Sequence, residues 1–238
     1  MKKKKYKYVK RFLDILLSGI ALIVLSPLYI VIAIGIKLSS EGPVLYKTER
    51  AGIEAKPFTL LKFRSMHQFV PDASQIGQDR EGGFLANEKR VFPFGGFLRK
   101  SKLDELPQLV NVLKGDISIV GIRPLTMKGV KRRYVGRFEC LNHIKPGLSG
   151  LDSLYDYAHG ELFVKDEAEY ANTVLPVRLE LAKIYGEKQS FRTDVFVVVR
   201  TIWLIISILF AKKRDIPYTK DENIARNNVL TTDKEVLI

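Results

Sequence analysis

The chain has 238 residues, which is long enough for one domain with a substantial core and an appendage. Its formal net charge of +13 favours an anionic partner, such as nucleic acid, anionic lipid or a phosphorylated substrate. The single cysteine excludes an internal disulfide, and the three scattered histidines lack the spacing of a zinc site. Neither of the common glycine-rich nucleotide-binding loops is present in the sequence.

An uncharged apolar stretch at residues 15–36 follows a strongly basic N-terminal cluster. The stretch is long enough to cross a bilayer and longer than the apolar part of a cleaved signal peptide, which is the alternative. Ser26 and Pro27 interrupt it, because proline removes an intrahelical hydrogen bond and serine can bond the freed carbonyl. Since both flanks are basic and basic flanks favour the cytoplasm, we predict a re-entrant helix-break-helix rather than a kinked spanning helix.

Two predicted strands follow the apolar stretch. Residues 44–46 form the first, and residues 58–66, which contain Lys62 and Arg64, form the second. The polar, glycine-rich interval at residues 71–88 then predicts a mobile loop.

Asp104 and Glu105 stand between a basic cluster and an apolar pattern of helical spacing that ends at Gly115. Pro107 fits the first turn of a helix that begins near Asp104, where its missing N–H group costs nothing. Both carboxylates would then lie at the positive end of the helix dipole, which keeps Asp104 ionised. For an isolated pair, capping of the helix is the simpler interpretation, and attack of Asp104 on an electrophile is the alternative.

Two further segments carry cations. Residues 115–124 predict a turn, a short apolar strand and a rigid loop that presents Arg123. Residues 144–151 predict a basic loop, shaped by proline and glycine, that presents Lys145.

The C-terminal part begins with an apolar run at residues 195–210. Because this run contains Arg200, we expect a helix on or in the membrane interface rather than a span. Residues from about Asp215 onward are polar and predict a loosely ordered tail. The predicted divisions are therefore a basic N-terminus with the hairpin at residues 1–40, a main domain at 41–214 and the tail at 215–238.

These motifs occur together, in the order of one family. The chain resembles the bacterial polyprenyl-phosphate sugar-1-phosphate transferases, the small monotopic phosphoglycosyl transferases that start the assembly of surface glycans. The resemblance covers residues 9–201, and so many ordered blocks are far more specific than any one alone. The matching blocks lie at residues 10–14, 26–27, 42–44, 49–52, 62–66, 98–100, 103–109, 111–116, 123–124 and 145–147.

The resemblance implies an α+β fold with a re-entrant N-terminal helix-break-helix, broken at Ser26 and Pro27. The rest would be a compact, mostly helical cytoplasmic domain with a small sheet and interfacial helices. The expected location is the bacterial inner membrane, with the catalytic domain on the cytoplasmic face. Membrane lipids are therefore expected partners, nucleic acid is not, and a homo-oligomer is compatible with the sequence.

The resemblance also implies the chemistry. Asp104 is expected to attack the sugar-side phosphate of a UDP-sugar, releasing UMP and leaving a covalent phosphosugar that a polyprenyl phosphate then accepts. Glu105 is expected to bind Mg²⁺, which needs only one or two protein carboxylates. Each expected phosphate-binding cation also has a structural alternative, such as lipid contact, loop bracing or simple surface exposure. The expected phosphate-binding cations are Arg64, Arg99, Arg123 and Lys145.

Two departures from the family pattern bear on function. Ile122 stands where the family usually has proline, and residues 151–160 replace the usual Trp, Gln-Val and Arg. Sugar recognition is therefore expected to differ, with Asp152, Tyr155 and Asp156 as candidates for contacts with a modified sugar. The alternative function is a catalytically weakened homologue that serves as a membrane scaffold in glycan assembly.

Overall fold

The computed structural model describes residues 3–67, 90–160, 164, 166–210 and 216–235. Within these ranges the chain is mostly helical and has two two-stranded sheets, in agreement with the predicted mixed class. The loop predicted at residues 71–88 lies outside the described residues. The main helices are α1 (Lys3–Val24), α2 (Ser26–Ser39), α3 (Pro93–Lys100), α4 (Gln108–Lys114), α5 (Met127–Arg133), α6 (Leu151–Tyr155), α7 (Leu175–Lys188), α8 (Phe191–Phe210) and α9 (Lys220–Glu235). The strands are β1 (Leu45–Ala51), β2 (Pro57–Phe63), β3 (Ser118–Val120) and β4 (Gly147–Ser149).

The predicted break in the N-terminal apolar stretch is confirmed. Helices α1 and α2 are bent by 61° relative to one another. Pro27 lies in the first turn of α2, where its missing N–H group removes no helical hydrogen bond. Ser26 Oγ donates a hydrogen bond to the carbonyl of Ile23 at 2.8 Å, so the serine satisfies a carbonyl at the break. Re-entrant insertion into a membrane stays a prediction.

Polar side chains near the start of α1 attach this helix to the rest of the fold. The Arg11 guanidinium donates to the carbonyls of Val112 at 2.7 Å and Leu113 at 2.8 Å, near the end of α4. These carbonyls lie in the last turn of α4, at the end of the helix dipole that attracts positive charge. Arg11 therefore fixes α1 against the helix that follows the acid pair.

Strands β1 and β2 form an antiparallel hairpin in which Leu45 pairs with Phe63 and Ala51 with Pro57. The first strand is therefore longer than the predicted residues 44–46. It continues because its backbone pairs with that of β2 from Leu45 to Ala51.

Strands β3 and β4 are parallel, with Ser118 opposite Gly147 and Val120 opposite Ser149. The prediction of a loop throughout residues 144–151 is therefore wrong, because residues 147–149 form strand β4. Glycine is used here for close approach, since a Cβ atom on Gly147 would lie 2.1 Å from the Gly121 nitrogen.

The polar tail predicted from about Asp215 is corrected by the structure, because residues 220–235 form helix α9. This helix packs against α7, and its Ala225 is fully buried in the main hydrophobic core. Ile216, just before the helix, is buried in the same core. The segment is mostly polar, so its composition does not indicate that Ile216 and Ala225 pack into the core.

Helix α8 begins at Phe191, one turn before the predicted apolar run. Its 20 residues are long enough and apolar enough to cross a membrane, and the α1–α2 pair passes the same test when taken together. The interfacial placement of α8 stays a prediction. Apolar side chains that are more than half exposed on these three helices include Tyr8, Phe12, Ile23, Val24, Ile30, Val31, Leu38, Val199, Ile202 and Phe210.

Candidate active site

Asp104 and Glu105 lie in a single 3₁₀ turn, Leu103–Glu105, that precedes α4. The prediction of a helix beginning near Asp104 is therefore wrong: α4 begins at Gln108, and Pro107 is the residue just before it. The predicted end is confirmed, because Gly115 terminates α4 with a left-handed φ of 98°.

One oxygen of the buried Asp104 side chain lacks, among the described residues, the hydrogen bond that usually accompanies burial. The residue is 6% exposed, and among the described residues its Oδ1 atom has no hydrogen-bond partner. Burial raises the pKa of Asp104, while the positive charges of Lys62, Lys102 and Arg99 act in the opposite direction. An unpaired buried carboxylate oxygen destabilises the fold, and Asp152 Oδ1 is a second such atom among the described residues.

Glu105 is held as an anion by surrounding cations. Its Oε1 atom lies 2.9 Å from Lys62 Nζ in a largely buried ion pair. Burial acts to raise the pKa of Glu105, but Lys62, Lys102 and Arg123 together outweigh burial and lower the pKa to about 2. Glu105 is therefore ionised at neutral pH.

Lys62 and Lys102 are site residues that the sequence motifs did not single out. Lys62 lies within a matching family block, and strand alternation puts it on the face opposite the buried Phe63. This was the available signal for Lys62. Lys102 immediately precedes the acid-bearing turn and has an unusual φ of 58°, which the sequence does not indicate.

Arg64, which is predicted to bind phosphate, is bonded in the structure to the segment that follows α2, and its phosphate-binding role stays a prediction. It is 2% exposed, and its Nε donates to the carbonyl of Pro43 at 2.6 Å. Its other two nitrogens each donate to Ser40, one to the hydroxyl and one to the carbonyl, both at 2.7 Å. These bonds join the end of β2 to the segment that follows α2.

The other three predicted cations are divided between two places. Arg99, in the last turn of α3, contributes positive charge at Asp104, and Arg123 contributes positive charge at Glu105. Lys145 lies instead near charged residues of α1, including Arg11 and Asp14. Burial lowers the pKa of Lys145.

Residues 151–160, where the family pattern is lost, contain a buried charge cluster. Arg178 reaches this segment from α7, with its NH1 atom 3.2 Å from Asp156 Oδ2. The Tyr170 hydroxyl accepts a hydrogen bond from Arg178 and donates one to Asp156 Oδ1 at 2.8 Å. The Arg178 guanidinium therefore comes from α7, a separate helix, and sequence spacing could not indicate its contact with Asp156.

The described ranges contain no cluster of three or more His, Cys, Asp or Glu residues suited to a metal. Asp104 and Glu105 offer two adjacent carboxylates, one with an unpaired oxygen. This donor set fits Mg²⁺, which usually takes one or two protein carboxylates and completes its coordination with phosphate and water.

Comparison with known proteins places these features in a family. A family model described as bacterial sugar transferase matches residues 5–208. The chain belongs to the bacterial sugar transferase family. Asp104, Glu105 and the cations around them therefore belong to a member of that family.

Three relatives illustrate the range of names within the family. A UDP-glucose:undecaprenyl-phosphate glucose-1-phosphate transferase of Escherichia coli strain K12 is 38% identical over 201 residues, covering 83% of this chain and 40% of the relative. A UDP-N-acetylgalactosamine-undecaprenyl-phosphate N-acetylgalactosaminephosphotransferase of Aeromonas hydrophila is 34% identical over 210 residues, covering 85% and 44%. The exopolysaccharide production protein ExoY of Sinorhizobium fredii is 31% identical over 202 residues, covering 81% and 83%. The chain thus spans less than half the length of the first two relatives.

Proposed function

We propose that the protein transfers a sugar-1-phosphate from a UDP-sugar to undecaprenyl phosphate and releases UMP, initiating surface-glycan assembly. The observation that carries this proposal is the buried Asp104 carboxylate with an unpaired oxygen, beside the Lys62–Glu105 ion pair. The names of the relatives supply the substrate classes, since they combine a UDP-sugar with undecaprenyl phosphate.

In the first step, a carboxylate oxygen of Asp104 attacks the sugar-side phosphorus of the UDP-sugar. An oxygen–phosphorus bond to Asp104 forms, and the bond from that phosphorus to the bridging oxygen of the diphosphate breaks. UMP leaves with the bridging oxygen. Arg99 and Lys102 supply positive charge for the phosphoryl group, because phosphoryl transfer depends mainly on positioning and charge neutralisation.

In the second step, a phosphate oxygen of undecaprenyl phosphate attacks the same phosphorus. The bond to Asp104 breaks, the carboxylate is regenerated, and a polyprenyl-diphosphate sugar forms. Splitting one transfer into two displacements is ordinary covalent catalysis. The exposed apolar side chains of α1 and α2 support contact with the membrane that holds this lipid acceptor.

Glu105, together with Asp104, would hold Mg²⁺. When bound, the ion neutralises negative charge on the diphosphate of the donor. Lys62 orients Glu105 and keeps it ionised. A carboxylate must be ionised to bind a metal.

The remaining predicted cations take supporting roles in this proposal. Arg64 fixes the segment after α2 to the strand that carries Lys62, and Lys145 lies among charged residues of α1, including Arg11 and Asp14. The α1–α2 pair enters the bacterial inner membrane from the cytoplasmic side and leaves on the same side. The acid pair then works at the cytoplasmic membrane surface.

The test is a UMP-release assay of purified protein with Mg²⁺, undecaprenyl phosphate and a panel of UDP-sugars. The panel includes UDP-glucose and UDP-N-acetylgalactosamine, the donors in the names of two relatives. We expect UMP release with at least one donor and none from Asp104→Asn. Folded wild-type protein that releases no UMP with any donor would contradict the proposal and favour the scaffold alternative.

A further inference from the structure

Residues 151–160, which depart from the family pattern, lie against both loops that bring cations to the acid pair. They form α6 and a following π-helical turn, Asp156–Gly160. Asp152 and Tyr157 are the two members of the segment that make these contacts, and each is 5% exposed. Their burial means that neither side chain is free to rearrange at low cost.

Tyr157 contacts the turn that precedes the acid pair. Its hydroxyl donates a hydrogen bond to the main-chain carbonyl of Lys100 at 2.5 Å. Lys102 Nζ lies 4.6 Å from the centre of the Tyr157 ring, a cation–π distance. Lys102 comes directly before the turn Leu103–Glu105. Tyr157 therefore holds both the backbone and the ammonium group of the residues that lead into Asp104.

Asp152 contacts the other cation-bearing loop. Its Oδ2 atom accepts a hydrogen bond from the main-chain N–H of Arg123 at 2.9 Å. Just before the segment, the backbone also lies close to the loop that carries Arg123, since a Cβ atom on Gly150 would lie 1.9 Å from the carbonyl oxygen of Gly121. Arg123 is one of the three cations whose charge acts on Glu105, together with Lys62 and Lys102.

The segment is itself held in place by Asp156, which contacts Arg178 of α7 and Tyr170 in a buried cluster. Opposite charges in a buried cluster hold one geometry when their hydrogen bonds are made, and breaking one partner is costly. The π-helical turn at Asp156–Gly160 is a rare conformation that is frequent at functional sites. The segment thus has a fixed position from which to support both loops.

Resting on the proposed function, we propose that residues 151–160 are a positioning element for the acid pair. Tyr157 fixes Lys102 on one side, and Asp152 fixes Arg123 on the other. Both residues act through the cations and touch no substrate. The departure from the family pattern is then a different way of supporting the same chemistry.

Variants of Tyr157 test the first contact. Tyr157→Phe removes the hydrogen bond and keeps the ring beside Lys102, whereas Tyr157→Leu removes both. The matched control is Phe138→Leu, because Phe138 packs against the same hydrophobic core as Tyr157 but lies outside residues 151–160. With a donor that the wild-type protein uses, we expect kcat to fall about threefold in Tyr157→Phe and about tenfold in Tyr157→Leu. We expect the donor KM of both variants, and the kcat of the control, to stay within about twofold of wild type.

Variants of Asp152 test the second contact. Asp152→Ala removes the acceptor for the Arg123 N–H group, whereas Asp152→Asn keeps an oxygen in its place. We expect kcat to fall about tenfold in Asp152→Ala and to be largely restored in Asp152→Asn. Equal losses in the two variants would show that the charge, rather than the bond to Arg123, matters, and would overturn this part of the proposal.

Hydrogen–deuterium exchange of the ligand-free proteins provides a readout that needs no turnover. We expect amides within residues 99–109 to exchange faster in Tyr157→Leu than in Phe138→Leu. Equal exchange in these two variants, or wild-type kcat in Tyr157→Leu, would overturn the positioning role. Inactive wild-type protein would overturn the proposed function instead, and the exchange comparison would still decide whether the segment positions the turn.

Discussion

Two pairs of carboxylates in this molecule differ in how fully their oxygens are hydrogen-bonded. In α1, Asp14 accepts hydrogen bonds from Ser118 Oγ at 2.8 Å and from the Ile119 N–H group at 2.9 Å. Asp194 accepts from the Tyr6 hydroxyl at 2.6 Å and also pairs with Lys10.

Asp104 and Glu105 differ from that arrangement. Asp104 has one buried oxygen with no hydrogen-bond partner among the described residues, and Glu105 is bonded to Lys62. Satisfied buried carboxylates hold a structure together, whereas an unsatisfied one costs stability. Asp14 and Asp194 attach α1 to the rest of the fold, whereas Asp104, the proposed nucleophile, keeps a buried oxygen unpaired among the described residues, as Asp152 also does.

The largest expected effect is the loss of activity in Asp104→Asn. We expect UMP release to fall by about a thousandfold or more, because the nucleophile is removed. The thermal midpoint of unfolding should stay the same or rise, because the variant removes a buried, poorly satisfied charge. Calorimetry and the UMP assay measure the two effects, and a large loss of stability would contradict the contrast with Asp194.

Asp194→Ala should have the opposite effect. It leaves the Lys10 ammonium and the hydroxyls of Tyr6 and Tyr185 without their carboxylate partner. We expect the free energy of unfolding to fall by about 3–5 kcal/mol. Denaturant unfolding in detergent measures this change, and a loss below about 1 kcal/mol would break the comparison.

Lys62→Met should reduce activity by about 10–100-fold, the usual effect of removing a partner that orients a metal ligand. The variant leaves Glu105 buried without the ammonium that lowers its pKa. Lys62→Arg keeps the positive charge and is the control, with activity expected to lie between Lys62→Met and wild type. Titration of Mg²⁺ in the UMP assay should show that Lys62→Met needs a higher concentration of the ion, and unchanged titration curves would contradict the role of Lys62.

The smallest expected effect concerns pH and His159, which stacks against Tyr155 and Tyr218. Burial, with added repulsion from Arg200 and Arg226, lowers the pKa of His159 to about 4. Between this value and its ordinary pKa of 6.5, the unfolded chain binds a proton that the folded chain excludes. Stability should therefore be complete above this window and decrease as the pH falls through it.

Replacement of this histidine tests the pH effect. Unfolding measured across the window should be less pH-dependent in His159→Phe than in wild type. His143→Phe is the control because His143 is exposed on the surface. Equal pH dependence in His159→Phe and wild type would exclude His159 as the source.

Local sequence signals predict several features correctly. Pro27 marks the break between α1 and α2, and Gly115 marks the end of α4, because each residue restricts or permits a particular backbone conformation. The sequence motifs also point to the acid pair and to two of the cations around it, Arg99 and Arg123.

Features that depend on tertiary contacts are not predictable in the same way. Lys62 and Glu105 are 43 residues apart, and their pairing requires the hairpin to lie against the turn before α4. Arg178 reaches Asp156 from a separate helix, and α9 docks through a few apolar residues in a polar segment. The 3₁₀ turn escapes prediction because Lys102 adopts a left-handed conformation that its residue type does not favour.

The most direct test of the central claim is to trap the intermediate on Asp104. The protein would be mixed with UDP-sugars labelled at the sugar-side phosphate, without undecaprenyl phosphate, then quenched, digested and mapped by mass spectrometry. We predict a phosphosugar on the peptide that contains Asp104, UMP released in equal amount, and no label on Asp104→Asn. Label on a different residue, or UMP release that requires undecaprenyl phosphate and leaves the protein unlabelled, would contradict the account.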